Sequence, residues 1–466
     1  MPPSDAHIEN RTYDEIEVGD TATLERRLTM EDVKLFAVMS GDVNPAHVDE
    51  DFAKSSRFQE IIAHGMWGGA LISTLLGTEL PGPGTIYLGQ TLRFKNPVVL
   101  GDILTVTVEA TEKDDAKKRI RFHCLCQNQD GETVIEGDAD VLAPTDKVKR
   151  ARTVMPHVRM AERAHLHELL EAASSPEPLP TAIVHPVDAN SLKGALQAAS
   201  KELIIPVLVG PEDRIRQAAE EAEVDISDFR LVSTKHSHEA AERAVALARK
   251  GEVGALMKGS LHTDELLRAT LHKEKGLRTE RRMSHVMAFD VPTYPRPLFI
   301  TDAAINIYPS LEHKADIIRN AIELAHAIEI KEPRVAILSA VETVNPKLAS
   351  TLDAAALCKM AERHQIEGGI LDGPLAFDNA ISESAARTKG IDSRVAGRAD
   401  ILVAPDLEAA NMLMKQLTHL ADATGAGVVV GARVPIMLTS RADDAITRMA
   451  SCALALLLAE HQSRHN

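Results

Sequence analysis

Residues 66–80 (MWGGALISTLLGTEL) are almost all apolar or small, with Ala70, Leu71, Leu75 and Leu76 at helical spacing. A helix that is apolar around most of its circumference must be buried on most of its sides. Four runs in which polar and apolar residues alternate follow this stretch, at 85–94, 103–110, 119–127 and 133–142. Alternation at period two, interrupted by turn residues, is typical of antiparallel strands. The sequence therefore predicts one buried helix wrapped by an antiparallel sheet.

A different pattern begins after the segment 174–178 (SSPEP). Short β-branched runs alternate there with amphipathic stretches; the runs are 181–185, 203–209, 254–257, 334–338, 401–403 and 427–430. This alternation predicts a mainly parallel sheet with helices on both faces, and its length favours two subdomains with a cleft between them. The predicted domains are an α+β domain at 1–145, a linker with a short helix at 146–180, and an α/β domain at 181–466.

The composition excludes several classes of protein. Acidic residues number 68 and basic residues 52 in a chain of 466, which gives a net charge of −16, and aromatic residues make up only 3%. Because long Lys or Arg runs and aromatic platforms are lacking, nucleic acid is excluded as a partner. The four cysteines contain no CxxC pattern, and no apolar stretch is long enough to cross a membrane. We therefore expect a cytoplasmic protein without a membrane partner.

A carboxylate and an imidazole occur together in residues 41–49 (GDVNPAHVD), where Gly, Asn and Pro predict a loop. Asp42 and His47 can converge on one water across this turn, take a proton from it and return one to carbon. Downstream, Gly65 precedes the apolar helix, and its N–H suits an oxyanion hole for a thioester carbonyl. Taken alone, such a pair is more often part of a solvated turn. His64 is more simply interpreted as a packing residue at the helix start.

Three separated motifs resemble the MaoC-type (R)-specific enoyl-CoA hydratases: 41–49, 64–66 (HGM) and 86–90 (IYLGQ). The resemblance extends over about residues 10–142. It implies the hot-dog fold, in which an antiparallel sheet wraps a helix. Because hot-dog sites commonly form at dimer interfaces, it also implies a homo-oligomer that is at least a dimer.

The hydratase resemblance also implies roles for individual residues. Asp42 and His47 would bind the water that adds to the double bond of a trans-2-enoyl-CoA. Gly65 would supply the oxyanion N–H, and Ser73 matches the position of a side chain near the family's catalytic pair.

The α/β part holds several clusters of candidate anion-binding residues but no nucleotide or hydrolase motif. Lys258 leaves a predicted strand and opens a helix, so Lys258 and the N–H groups that follow it suit an anion. Asp302 and Asn306 follow an apolar run, where α/β sites usually form. The remaining candidates are Arg281 and Arg282 after a charged loop, and Ser440, Arg441 and Asp443 before the last helix. Alone, the Arg pair is more often solvated, and Ser440 is equally well explained as a helix N-cap.

Together these clusters resemble the phosphate acetyltransferase and phosphate butyryltransferase family, with the match closest to the butyryltransferase branch. The resembling segments are 257–259 (MKG), 284–286 (SHV), 300–306 (ITDAAIN), 372–375 (DGPL), 400–403 (DILV) and 438–443 (LTSRAD). The family implies acyl transfer between CoA and phosphate without a metal. Coenzyme A thioesters and phosphate would be substrates, and no cofactor would be tightly bound.

The acyltransferase resemblance implies roles that suit the residue types. Arg441, with Arg281 or Arg282, would bind phosphate, because guanidinium groups match its oxygens. Ser440 would donate to the carbonyl oxygen in the transition state. The family places an Asp seven residues after this serine, where this chain has Thr447, so the base for the CoA thiol stays open. Asp443 and the adjacent Asp444 are candidates for it.

The leading hypothesis is a bifunctional acyl-CoA enzyme, an enoyl-CoA hydratase fused to a phosphate acyltransferase. One alternative is an active hydratase with a C-terminal module that binds acyl-CoA or acyl phosphate without catalysis. A dehydrogenase of the isocitrate or isopropylmalate type is disfavoured, because the Asp-x3-Asp pattern of its metal site is missing from the sequence.

Overall fold

The computed structural model describes residues 7–153, 155, 158, 164–438 and 445–465. The chain divides into two compact units, Met1–Met160 and Ala161–Asn466. Among the described residues, no helix is both long enough and apolar enough to cross a membrane.

The first unit contains four helices and eight strands among its described residues. In chain order they are β1 (His7–Glu9), β2 (Thr21–Arg27), α1 (Met30–Ser40), α2 (Pro45–Val48), α3 (Glu50–Ser55), α4 (Gly65–Thr78), β3 (Ile86–Gln90), β4 (Arg93–Phe94), β5 (Ile103–Asp114), β6 (Arg119–Gln127), β7 (Thr133–Leu142) and β8 (Lys149–Ala151). A 3-10 turn at Tyr13–Glu15 separates β1 from β2.

The main sheet of the first unit is antiparallel, in the order β2-β5-β6-β7-β3, with β4 paired to β7. Alternate residues of β5 and β6, such as Val106 and Phe122, are fully buried. They share one core with Ile72, Leu75 and Leu76 of α4. Period-two burial on the strands and helical spacing on α4 therefore produce one interface, which confirms the predicted hot-dog arrangement.

Helix α4 is less enclosed than the sequence predicts. Its Trp67, Ile72, Leu75 and Leu76 are buried, whereas Met66 is 56% exposed. The side of α4 that faces away from the sheet carries small residues and is solvent-exposed within this unit. The sheet covers one side of the helix, and most of its large apolar side chains lie on that side.

The second unit contains eleven helices and eleven strands among its described residues. The elements are α5 (Ala164–Ala172), β9 (Leu179–Val184), α6 (Ala189–Ser200), β10 (Ile204–Gly210), α7 (Glu212–Ala222), β11 (Arg230–Ser233), α8 (Ser237–Arg249), β12 (Ala255–Lys258), α9 (Thr263–Leu271), β13 (Ser284–Asp290), β14 (Leu298–Thr301), α10 (Leu311–Ala327), β15 (Arg334–Leu338), α11 (Ala349–Glu362), β16 (Ile370–Leu375), α12 (Phe377–Ile381), α13 (Glu383–Thr388), β17 (Ile401–Val403), α14 (Leu407–Leu420), β18 (Thr424–Val430), β19 (Ile436–Met437) and α15 (Ala445–His465).

One eleven-stranded sheet runs through the second unit, in the order β11-β10-β9-β12-β19-β18-β13-β14-β17-β15-β16. In this order, the first five strands (β11, β10, β9, β12 and β19) form one parallel block, and the last four (β14, β17, β15 and β16) form another. The antiparallel strands β18 and β13 join the blocks. The sheet is therefore mainly parallel, as the strand–helix alternation predicts, with antiparallel pairing where the two blocks meet.

The core of the second unit explains the two predicted subdomains. On one face of the sheet a single apolar cluster extends beneath both parallel blocks, from Ile183 to Val403. On the other face, one cluster contains Val184 of the first block and a separate cluster contains Leu402 of the second. Neighbouring strand residues thus enter opposite layers, which confirms an α/β architecture with both faces covered.

The predicted linker at 146–180 contains structure that the sequence analysis did not assign to either unit. Strand β8 forms an antiparallel pair with β1, so its charged residues belong to the first unit. Helix α5 lies in the second unit, where Leu166 is only 6% exposed and joins the core. Hydrogen bonding of one short strand therefore extends the first unit into the predicted linker, and burial of one helix face extends the second unit into it.

We expect Ile72→Ala to lower the free energy of unfolding of the first unit by about 2–5 kcal/mol, because it leaves a cavity in a closed core. The chain has a single tryptophan, Trp67, which is buried in this core. Urea unfolding followed by tryptophan fluorescence therefore reports on this unit alone. Ser73→Ala on the exposed side of α4 is the control, and equal midpoints for the two variants would contradict the packing described here.

Candidate active sites

The loop that carries Asp42 is built by local hydrogen bonds. Helix α1 ends at Gly41, which adopts a left-handed conformation with φ of 76°. The carboxylate of Asp42 accepts the backbone N–H of Asn44 at 3.2 Å. Asn44 in turn accepts the N–H of Ala46 and caps the short helix α2. The Gly, Asp, Asn and Pro residues of this loop therefore fold it into the turn that the sequence predicts.

His47 lies in α2 and is 9% exposed. Its Nδ1 lies 2.8 Å from the carbonyl oxygen of Ile62. A carbonyl oxygen can only accept, so Nδ1 carries the proton in this contact and Nε2 of a neutral ring keeps its lone pair. The backbone thus selects the tautomer of His47 that can act as a base at Nε2.

The structure brings Asp42 and His47 together, as the sequence predicts, and adds His64 to them. One nitrogen or carboxylate oxygen from each of the three residues lies within 4.8 Å of the other two. The imidazole rings of His47 and His64 are 4.0 Å apart between centroids. Asp42 is exposed, whereas His64 is only 3% exposed. The sequence suggests only a packing role for His64, whereas the structure shows it in contact with both members of the pair.

Gly65 is the first residue of α4, and the preceding His64 gives that helix no side-chain cap. Within the described chain, the Gly65 N–H donates to no other residue, as the first turn of a helix allows. Ser73 lies two turns further along α4 with its side chain exposed, and it makes no hydrogen bond to Asp42 or His47. The first site therefore consists of the loop, α2 and the start of α4.

In the second unit, Asp302 and Asn306 form a buried hydrogen-bonded network. The carboxylate of Asp302 accepts the backbone N–H groups of His285, Ala304, Ile305 and Asn306 at 3.1–3.2 Å. It also accepts the Asn306 side-chain amide at 2.5 Å. Asp302 is 4% exposed and Asn306 is 3% exposed. Because its acceptor positions are occupied, Asp302 organises this loop from within and does not face open space.

Only one of the two adjacent arginines takes part in this network. Arg282 donates from Nε to Oδ1 of Asn306 at 2.7 Å, whereas Arg281 pairs with Glu323 at 2.5 Å. Within the described chain, the two terminal nitrogens of Arg282 have no hydrogen-bond partner, and the residue is exposed. Arg281 instead lines a cavity of about 790 Å³ together with histidines of α10 and α15. Of these two adjacent arginines, only Arg282 joins Asp302 and Asn306.

Lys258 ends strand β12 and is 9% exposed, with Nζ at 3.5 Å from the carbonyl oxygen of Gly259. The N–H groups that follow it are already used, because Gly259 donates to Val184 and Ser260 donates to His185, each at 2.9 Å. Helix α9 begins later, at Thr263. The expectation that these N–H groups hold an anion is therefore wrong, while Lys258 keeps its predicted place at a strand end.

His285 is a residue of this region to which the sequence analysis gave no role. It is 5% exposed and follows Ser284 at the start of β13. Burial lowers the pKa of His285, and the nearby Asp302 charge opposes that effect only in part. The segment 284–286 gave the only signal in the sequence. Ser440, Arg441, Asp443 and Asp444 lie outside the described residues.

Known proteins are similar to this second unit, an α/β unit with a buried carboxylate network beside an exposed arginine. The family described as "Phosphate acetyl/butaryl transferase" matches residues 238–456. A phosphate acetyltransferase of Rickettsia felis is 58% identical over 298 residues, which are 64% of this chain and 85% of that protein. The chain therefore belongs to the phosphate acetyl/butyryl transferase family.

Two further relatives refine this assignment. A phosphate butyryltransferase of Clostridium acetobutylicum is 43% identical over 293 residues, which are 63% of this chain and 97% of that protein. The acetyltransferase is the more similar of the two, so the expected closer match to the butyryltransferase branch is wrong. A solved branched-chain phosphotransacylase of Enterococcus faecalis V583 is 28% identical, and its alignment covers 61% of this chain and 100% of that one with a TM-score of 0.54.

The first unit has its own family match. The family described as "MaoC like domain" matches residues 15–125, which include the loop of Asp42, helix α2 and the whole of α4. The first unit therefore carries a MaoC-like domain with the hot-dog fold.

We expect Asp302→Asn to destabilise the second unit by about 3 kcal/mol, since an amide group would face buried N–H donors that need an acceptor. Thermal unfolding followed by circular dichroism should show the loss, while Trp67 fluorescence should still report an intact first unit. Asp392→Asn is the matched control, because Asp392 is exposed in a loop. An unchanged transition for Asp302→Asn would show that the network contributes nothing to stability.

Proposed function

We propose that this chain is a bifunctional acyl-CoA enzyme. Its first unit hydrates trans-2-enoyl-CoA to (R)-3-hydroxyacyl-CoA, and its second unit transfers an acyl group between CoA and phosphate. The observation that carries the hydratase is the convergence of Asp42 and His47, in which the Ile62 carbonyl fixes the basic tautomer of His47. Membership of the phosphate acetyl/butyryl transferase family carries the acyltransferase.

The hydratase reaction adds one water across a carbon–carbon double bond. His47 Nε2 accepts a proton from a water that Asp42 helps to hold, and the water oxygen forms a bond to C3. The electron pair of the double bond moves toward C1, and the negative charge develops on the thioester oxygen. His47 and Asp42 then return the proton to C2, so that the atoms of one water are added in full.

Gly65 is the proposed donor to the thioester oxygen. Its N–H is unused within the described chain and lies at the N-terminus of α4, a helix of fourteen residues whose dipole favours negative charge there. Ser73 stays a proposed substrate contact, since its exposed side chain lies on the same helix.

In the acyltransferase reaction, a phosphate oxygen attacks the thioester carbon, the new C–O bond forms, and the C–S bond breaks to release CoA. Arg282 is the proposed phosphate ligand, because Asn306 holds its Nε and leaves both terminal nitrogens available for a bidentate contact. Ser440 and Arg441 keep their proposed roles at the carbonyl and the phosphate, with Asp443 and Lys258 lining the site.

The substrate class of the second unit follows from its relatives. Acetyl-CoA is the first acyl donor to test, since the 58% identical relative is a phosphate acetyltransferase, and butyryl-CoA is the second. We propose that neither reaction needs a metal or a tightly bound cofactor. We also propose a homo-oligomer, at least a dimer, in which exposed apolar residues of β3 such as Ile86 and Leu88 are covered.

Asp42→Asn and His47→Gln should each lower kcat for the hydration of crotonyl-CoA by about 10²–10⁴-fold, because each removes a proton-transfer group. Loss of absorbance of the enoyl thioester measures this rate. Phosphate-dependent release of CoA from acetyl-CoA should be unchanged in both variants. Wild-type hydration that neither substitution slows would contradict the proposed site.

Arg282→Ala should raise the KM for phosphate by about tenfold or more, corresponding to a lost charge-assisted contact of about 1.5–3 kcal/mol. The neighbouring Arg281→Ala is the control and should leave that KM within about twofold, since Arg281 is paired with Glu323. The rate of CoA thiol release from acetyl-CoA, measured as the phosphate concentration is varied, gives the KM for phosphate of each variant.

A Ser440→Ala, Arg441→Ala double variant tests the rest of the acyltransferase proposal and should abolish phosphate-dependent CoA release. No release from acetyl-, butyryl- or 3-hydroxybutyryl-CoA by the wild-type chain, with crotonyl-CoA still hydrated, would favour a C-terminal binding module instead.

A further inference from the structure

His64 contacts both members of the proposed catalytic pair, Asp42 and His47. Its Nε2 lies 2.9 Å from the backbone carbonyl oxygen of Asp42, and its ring lies against the ring of His47 at 4.0 Å. Phe36 packs on it from α1, at 5.0 Å between ring centroids. The next residue in the chain is Gly65, the proposed oxyanion donor. One ligand atom from each of Asp42, His47 and His64 lies within 4.8 Å of the other two.

The partner of each ring nitrogen fixes the protonation of His64. The Asp42 carbonyl oxygen can only accept, so Nε2 must donate to it. Nδ1 is buried and has no hydrogen-bond partner among the described residues. A proton on Nδ1 would therefore be a buried donor without an acceptor, which is costly, so the ring is held as the neutral Nε2–H tautomer.

We infer that His64 is a positioning residue of the hydratase. It donates to the backbone of Asp42 and stacks against His47, so that the carboxylate and the His47 Nε2 face the same water. This inference rests on the proposed hydratase function. His64 itself exchanges no proton with the substrate in this arrangement, since its N–H is bound to a carbonyl oxygen and its other nitrogen, Nδ1, is buried.

Two amide substitutions separate positioning from simple packing. A glutamine amide nitrogen reaches about as far from the backbone as imidazole Nε2, whereas an asparagine amide nitrogen reaches only to the position of Nδ1. Glutamine can therefore keep the bond to the Asp42 carbonyl, and asparagine cannot. A role in packing or polarity alone would not rank the two amides in this order.

The experiment measures kcat and KM for crotonyl-CoA hydration with full-length His64→Gln, His64→Asn and His64→Ala. We expect His64→Ala and His64→Asn to lose about 10–100-fold in kcat with KM changed less than about threefold, since small displacements of reacting groups cost this much. His64→Gln should recover most of the rate. His123→Gln, on the exposed face of β6, is the matched control and should resemble the wild type.

Three results would overturn the inference. One is a His64→Ala kcat within about threefold of the wild type, and another is equal rates for the Gln and Asn variants. The third needs no variant: ring ¹⁵N–¹H correlation spectra of the wild-type chain should show His64 protonated at Nε2 and His47 at Nδ1, and the opposite tautomers would contradict it. Wild-type hydration that is absent, or that Asp42→Asn leaves unchanged, would instead overturn the proposed function and the inference with it.

Discussion

Polar side chains that are buried must find hydrogen-bond partners, and this constraint shapes both sites of the protein. In the first unit, carbonyl oxygens of Ile62 and Asp42 bind one nitrogen of each imidazole and thereby fix its tautomer. In the second unit, the Asp302 carboxylate binds four backbone N–H groups and the Asn306 amide. In each case the backbone sets the direction in which a side chain presents its remaining atoms. The geometry of each candidate site is therefore a consequence of hydrogen bonds to the backbone.

The sequence predicted the first unit well because its decisive signals are local. Gly41, Asn44 and Pro45 specify the turn, and that turn alone brings Asp42 toward His47. The contacts of His64 with His47 and with the Asp42 carbonyl were not predicted, because they span 17 and 22 residues of sequence. The structure places His64 at the N-cap position of α4, where its side chain does not cap the helix. A side chain in that position is free to bind elsewhere.

The second unit was less predictable, since several of its features depend on sheet order. Strands β13 and β18 contain apolar residues, as their neighbours do, and composition does not show in which direction a strand runs. Arg281 and Arg282 are chemically identical, and only the structure shows that one meets Glu323 and the other Asn306. Adjacent residues leave a backbone in different directions. A motif that contains both therefore identifies the region but not the ligand.

The net charge of −16 is compatible with two anionic substrates because charge acts locally at physiological salt. Exposed charges farther apart than about 8 Å are largely screened, so a phosphate at Arg282, its proposed ligand, would respond mainly to the groups around that side chain. Asp302 is the nearest carboxylate in the network, but its oxygens are bound to N–H donors and Asn306 lies between it and the arginine. The acid thus orients the cation through a neutral amide and does not pair with it directly. A direct Asp–Arg pair would have occupied the terminal nitrogens that a phosphate needs.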